Sequence, residues 1–153
     1  MTKARLLILL IVAAHWFVGI VHLFFAAQVL PAPNNHVSLL AVTFITLVHW
    51  AVALGLWKLT QKPVLWVSLI FFLAAMSADL YEHFLHASLN NIFMVAPGGW
   101  ATWFEVSVII LLALEVLGCL LGILSLRGGK RAKVDSKSQI TQSKESGFFF
   151  FAH

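Results

Sequence analysis

The chain has 153 residues, of which 61% are hydrophobic and only 10% charged, and its formal net charge is +4. Globular domains carry roughly 45–50% apolar and about 25% charged residues, and a chain this short has too much surface for its volume to hide such an excess from water. The composition excludes an ordinary water-soluble domain and makes lipid the expected solvent.

The positive charge does not point to nucleic acid. All ten Lys and Arg residues lie at the ends of apolar runs or in the C-terminal part, and no basic stripe interleaved with aromatic residues occurs. The single cysteine, Cys119, falls inside an apolar run. It supports neither a disulfide framework nor a cysteine-based zinc site.

A spanning helix takes about 20 predominantly apolar residues, and the sequence predicts four of them, over 6–29, 38–58, 64–88 and 101–126. The first run follows Lys3 and Arg5 and ends before Pro31 and Pro33. It carries His15 and His22, which are seven residues apart and therefore share a helical face. Its basic start and Ala26-Ala27 also fit the outline of a cleaved leader peptide. The length of the run, and the presence in it of His15, Trp16 and His22, favour a retained span.

The second run carries His49 and stops at Lys58, before Thr60, Gln61, Lys62 and Pro63. The third holds the densest polar group of the chain, Asp79, Glu82, His83 and His86. At about 100° per residue, those offsets confine four side chains to an arc of roughly 100° on one helical face. Asn90, Asn91, Pro97, Gly98 and Gly99 break the chain before the fourth run, which carries Glu105, Glu115 and the small-residue pair Gly118 and Gly122. Trp57, Trp66, Trp100 and Trp103 stand at run ends, where interfacial aromatic anchors occur. From residue 128 to 153 the sequence is polar and basic and is expected to lack regular structure. It closes on phenylalanines at 148–151, either a membrane-surface contact beside the lysines or an idiosyncratic end.

The expected fold is all-α: an up-and-down, integral membrane four-helix bundle over residues 1–127, followed by a tail over 128–153. Lys3, Arg5, Lys58, Lys62 and the basic residues from Arg127 onward fall on one side of such a bundle, and the other two loops contain no Lys or Arg. The positive-inside rule makes that side cytoplasmic, with both termini on it. The short loops and clean charge asymmetry suit a bacterial plasma (inner) membrane.

Asp, Lys or Arg at the centre of a span costs about 2.5–3.5 kcal/mol on insertion scales, so ionisable groups there mark function by default. Helix ends place His22, Asp79, Glu82, His83, His86 and Glu105 in an outer layer, and His15, His49 and Glu115 near the midplane. Three roles suit the layout. One is a transition-metal site with His83 and His86 as ligands, Asp79 or Glu82 as charge partner, and His22 and Glu105 completing it. Another is haem b held by His15 and His49, with His22 and His83 or His86 as a second pair. The third is a proton relay from the outer cluster through His15 and His49 to Glu115.

Against these stands a structural reading, in which the same groups join helices by hydrogen bonds worth about 0.6 kcal/mol on average. The chain would then be an accessory subunit, meeting a second copy or a larger membrane complex through its Gly118/Gly122 face; the alternative for that strip is tight packing within the monomer. An enzyme acting on a lipid or quinone is a further option. The sequence contains no phosphate-binding Gly-Lys-Ser loop, no HExxH and no Gly-x-Ser-x-Gly.

Overall fold

A computed structural model describes residues 3–29, 39–58, 62–87 and 90–148. It contains helices α1 (Lys3–Val29), α2 (Leu39–Lys58), α3 (Lys62–Leu80) and α4 (Gly99–Phe148), with α3 continuing into a π-helical turn over Tyr81–Leu85. No strand occurs among the described residues. The starts follow local chemistry. Pro63 lies in the first turn of α3, where its missing N–H has no helical partner to lose. Pro97 stands just outside α4, and Gly98 accepts a hydrogen bond from the Ala101 amide at 3.1 Å to begin it.

Lys3–Val29, Lys62–Leu85 and Gly99–Arg127 are each long and apolar enough to cross a membrane. Large apolar side chains cover the outside: Leu10, Phe17, Phe44, Trp50, Ile70 and Ile109 are all exposed. The interior, by contrast, holds His15, His22, His49, His83 and Glu115. Polar groups inside and apolar groups outside invert the arrangement that water imposes, and are what a surrounding hydrocarbon favours.

Two differences from the sequence reading concern helix ends. The third helix does not run regularly to residue 88; it widens at Tyr81 and ends at Leu85. The region after Arg127, expected to lack regular structure, continues α4 as helix to Phe148. No proline follows Pro97, so nothing steric stops the backbone, and Lys, Arg, Ala, Gln and Glu are good helix formers. Phe149, Phe150 and Phe151, like His36 and His153, lie outside the described residues.

The direction of each helix follows from its contacts. His15 meets Glu115 while His22 meets Ser107, so α1 and α4 run antiparallel. His15 with His49 and Trp16 with Thr46 set α2 against α1. Gly118 faces Phe72 and Gly122 faces Leu69, which makes α3 antiparallel to α4. The α1–α4 and α3–α4 interfaces are the most extensive, whereas α2 and α3 touch lightly. One apolar cluster centres on Ile8, Val12, Leu56 and Phe72, another on Ala26, Phe104 and Val108. His15, His49 and Glu115 lie between them.

The Gly118/Gly122 strip, expected to allow close helix contact within the bundle or between chains, is occupied by α3. A Cβ at Gly118 would sit 2.5 Å from the buried Phe72 ring, and one at Gly122 would sit 3.4 Å from Leu69. Small residues here let two helices of the same chain approach closely. Gly118→Ala should therefore destabilise the protein by about 1–3 kcal/mol through overpacking. Gly19→Ala, where an added Cβ meets nothing within 4 Å, should not. Unfolding of both variants by detergent titration, followed by circular dichroism, checks the contrast.

Candidate functional site

The midplane residues form a continuous hydrogen-bonded chain. His49 Nδ1 lies 2.7 Å from the Ile45 carbonyl oxygen. A carbonyl only accepts, so that nitrogen carries the hydrogen and, in a neutral ring, Nε2 is left as a lone pair. His15 Nδ1, 2.7 Å from His49 Nε2, must then be the donor. His15 Nε2 in turn lies 2.9 Å from Glu115 Oε1. One hydrogen occupies that last gap, and it belongs either to a carboxylic acid facing neutral His15 or to an imidazolium facing a carboxylate.

The surroundings hold this chain in place. The two rings stack with centroids 5.0 Å apart, and Phe71 and Phe72 meet His15 edge-on. Glu115 is completely buried. Its Oε2 has no hydrogen-bond partner among the described residues. From α3, Asp79 comes close enough to interact through space with Glu115, His15 and His83.

A second group sits about two helical turns along α1, roughly 10 Å away. Ser107 donates its hydroxyl hydrogen to the Phe104 carbonyl at 2.6 Å. It must therefore accept from His22 Nδ1, 2.9 Å away. His83 Nδ1 likewise donates to the Asn90 carbonyl oxygen at 2.8 Å. The His22 and His83 rings meet edge to face, with centroids 5.0 Å apart. In both neutral rings the anchored Nδ1–H leaves Nε2 as an acceptor.

The π turn decides which members of the Asp79, Glu82, His83, His86 group belong to the site. The His86 amide donates to the Tyr81 carbonyl at 2.7 Å, a bond across five residues. The wider turn breaks the 100° phase on which a common face depends. His86 then leaves the helix in an extended conformation. It stacks on Tyr81 and approaches Glu82 at 3.6 Å, with both side chains nearly half exposed. Glu105 is half-buried one turn into α4.

Asp79, Glu82 and His83 do converge with His15, His22, His49 and Glu115 around one cavity of about 570 Å3, whose lining includes neither His86 nor Glu105. Pockets of roughly 300–1,000 Å3 are the usual size for small-molecule sites. Phe44 on α2 and Ile70 on α3 line this cavity and are also well exposed. The cavity thus opens sideways between α2 and α3, which touch only lightly.

The expected midplane trio comes together, as do four of the six outer residues, His22, Asp79, Glu82 and His83. Nitrogens bound to a metal lie about 2.0–2.1 Å from it, so two on one ion are more than 3 Å apart. At 2.7 Å, His15 and His49 share a hydrogen, and the pair makes a hydrogen bond in place of flanking a haem iron. Among the described residues no three His, Cys, Asp or Glu side chains are grouped as a metal ion requires. Comparison with known proteins found no matching family model and no significant match to a curated protein or a solved structure.

Two residues of the site carry no sequence signal of their own. Ser107 is one serine in an apolar helix, and Asn91 looks like part of a break. Asn91 is in fact buried. Its Nδ2 donates to the His86 carbonyl at 2.9 Å and its Oδ1 accepts from the Phe93 amide at 3.0 Å. With the Ile92 amide bonded to the His83 carbonyl at 3.0 Å, it ties the following loop to the open end of the π turn. Asn91→Ala should cost about 1–3 kcal/mol, since it removes both hydrogen bonds of a buried side-chain amide. Hydrogen exchange should then be faster at the Ile92 and Phe93 amides and unchanged in the middle of α1.

Proposed function

We propose that the chain is a four-span membrane protein whose core handles protons, serving a redox or transport system in a bacterial plasma membrane. The fourth span is α2. Its 20 residues reach about 30 Å, the thickness of the hydrocarbon core. With alternating helix directions, Lys3, Lys58, Lys62 and Arg127 all fall at one end of the helices, which is cytoplasmic by the positive-inside rule. Both termini then lie on that side. If so, a cysteine introduced at Lys62 in a Cys119→Ser background reacts with an impermeant maleimide only from the cytoplasmic face. One at Gly98 reacts only from the opposite face. Labelling of both from the same side would overturn the topology.

The observation that carries the functional reading is the chain from Ile45 through His49 and His15 to Glu115. Three consecutive short hydrogen bonds fix every hydrogen but one. Buried polar networks of this kind are retained in apolar helices where protons are moved or held. The terminal proton can reside on either partner with little movement of heavy atoms, and the adjacent Asp79 carboxyl gives it a route toward the cavity.

Histidine nitrogen NMR on the protein in detergent tests this without any ligand. His15 and His49 should both be hydrogenated at Nδ1, and the His15 Nε2 resonance should move with pH together with the Glu115 carboxyl signal. In Glu115→Gln, the amide supplies a fixed donor, so His15 should stay neutral across the same pH range. Two histidines that titrate independently of each other and of Glu115 would sink the proposal.

One observation favours a second reading, a metal ion at the outer group. Metal-binding histidines almost always donate their other N–H to a carbonyl, carboxylate or water, and His22 and His83 each have Nδ1 anchored with Nε2 left over. Asp79 or Glu82 would supply the charge, and the ion would have to draw these side chains closer together than they lie here. Elemental analysis of untagged protein should then give near-stoichiometric metal that disappears in the His22→Ala, His83→Ala double variant. Equal metal content in the two proteins removes this reading.

A further inference from the structure

The cavity's charge inventory points to what it holds. Its lining contains three carboxyl groups, from Asp79, Glu82 and Glu115, and four imidazoles, from His15, His22, His49 and His83, but no Lys or Arg. The hydrogen-bond assignments above leave His22 and His83 with acceptor nitrogens toward their free edges, and the buried Glu115 Oε2 accepts without a partner among the described residues. A cavity built of acceptors and acids repels a phosphate or carboxylate head. With its imidazoles neutral it has no positive charge of its own to balance an ionised carboxylate.

The rest of the wall is apolar: Phe44, Phe71, Ala74 and Ala78 line it, with Leu111 from α4. The small side chains at 74 and 78 leave room where a larger residue on α3 would fill it. The opening between α2 and α3 faces sideways, toward hydrocarbon if these helices span the membrane as proposed. A ligand therefore enters from lipid, carries a large apolar body and brings either positive charge or a hydrogen-bond donor. Aromatic faces beside a carboxylate suit a cation, which gains from both.

We infer that this cavity binds a lipophilic organic cation, held by Asp79 at the mouth of the buried Glu115–His15–His49 chain, and that binding displaces a proton from the carboxyl pair. The inference rests on the proton-handling reading above. Asp79 is the accessible carboxyl, and Glu115 lies fully covered behind it. When the cation arrives, one proton held by the Asp79–Glu115 carboxyl pair leaves for solvent, and total charge in the cavity is unchanged. No covalent bond forms or breaks except those to that proton. The titratable groups facing Asp79 are Glu115 from α4, His15 and His22 from α1, His49 from α2, and Glu82 and His83 from its own helix. Cation binding therefore strengthens as pH rises, by up to about tenfold per unit where one proton is exchanged.

Tetraphenylphosphonium and tetraphenylborate share one shape and carry opposite charge, so they separate charge recognition from simple partition into an apolar space. With the full chain in non-ionic detergent, equilibrium dialysis should give saturable binding of the phosphonium and none of the borate. Asp79→Asn should weaken the phosphonium by roughly thirtyfold or more, the loss expected when a desolvated charge loses its partner. Ala78→Phe, which fills the cavity and leaves every charge in place, should weaken it as well, and stands as the test if the Asp79 variant does not fold. Equal binding of the two ions, or phosphonium binding that neither variant changes, overturns the inference. So does saturable binding of a decyl hydroquinone that the phosphonium fails to displace, which would make the ligand a neutral hydroxyl donor. The histidine NMR on cation-free protein distinguishes the two layers of the argument. An intact proton chain with no cation binding rejects only the ligand, whereas loss of the chain rejects the reading beneath it.

Discussion

Burying a carboxyl group among apolar helices is strongly unfavourable unless something nearby answers it, and Glu115 is answered by His15. That 2.9 Å contact organises the molecule around it. It fixes α1 against α4, the largest interface, and through the His15–His49 hydrogen bond it also draws in α2. Above and below it lie the two apolar clusters, one around Phe72 and the other around Phe104. In a hydrocarbon solvent, apolar packing gives little preference for one helix partner over another. Satisfying a few buried polar groups is then the main thing that makes one arrangement better than its rivals.

The same principle explains why the helices meet as they do. The α3–α4 contact relies mainly on shape, with the Phe72 ring laid into the space left by Gly118, and brings the Asp79 carboxyl beside Glu115. The α2–α3 seam has neither device, and that is where the cavity opens. The weak seam is thus not a packing failure at random. It is where the cavity-lining Phe44 and Ile70 stand exposed.

Much of the fold was legible in the sequence because its signals were long and local. Four apolar runs separated by Pro, Gly and Asn gave four helices with ends within a few residues, except that α4 continues far past residue 126, and the pairing of His15, His49 and Glu115 at one depth followed from counting along the helices. What failed depended on angle and not on depth. Placing His86 with His83 assumed a regular 100° step, which the Tyr81 to His86 bond breaks. Glu105 shared the right depth but not the right face. Asn91 and Ser107 could not be read at all, because a single polar residue says nothing of whether a carbonyl or an imidazole will be waiting for it. Gly118 and Gly122 read equally as a contact within the bundle or between chains, because spacing shows that a helix can come close, but not which one does.

The π turn has a mechanical consequence. Asp79 belongs to the regular part of α3, whose rotation is set by Phe72 against Gly118. Glu82 and His83 belong to the widened turn, whose rotation is set instead by the loop that Asn91 ties down. The two halves of the site therefore hang from separate mountings. One is locked into the densest packing of the molecule, while the other rests on a few hydrogen bonds at its end. A push on the loop would turn the outer imidazole and carboxylate about the helix axis while Asp79 stayed still, so the distance between the two groups is adjustable from outside the membrane core.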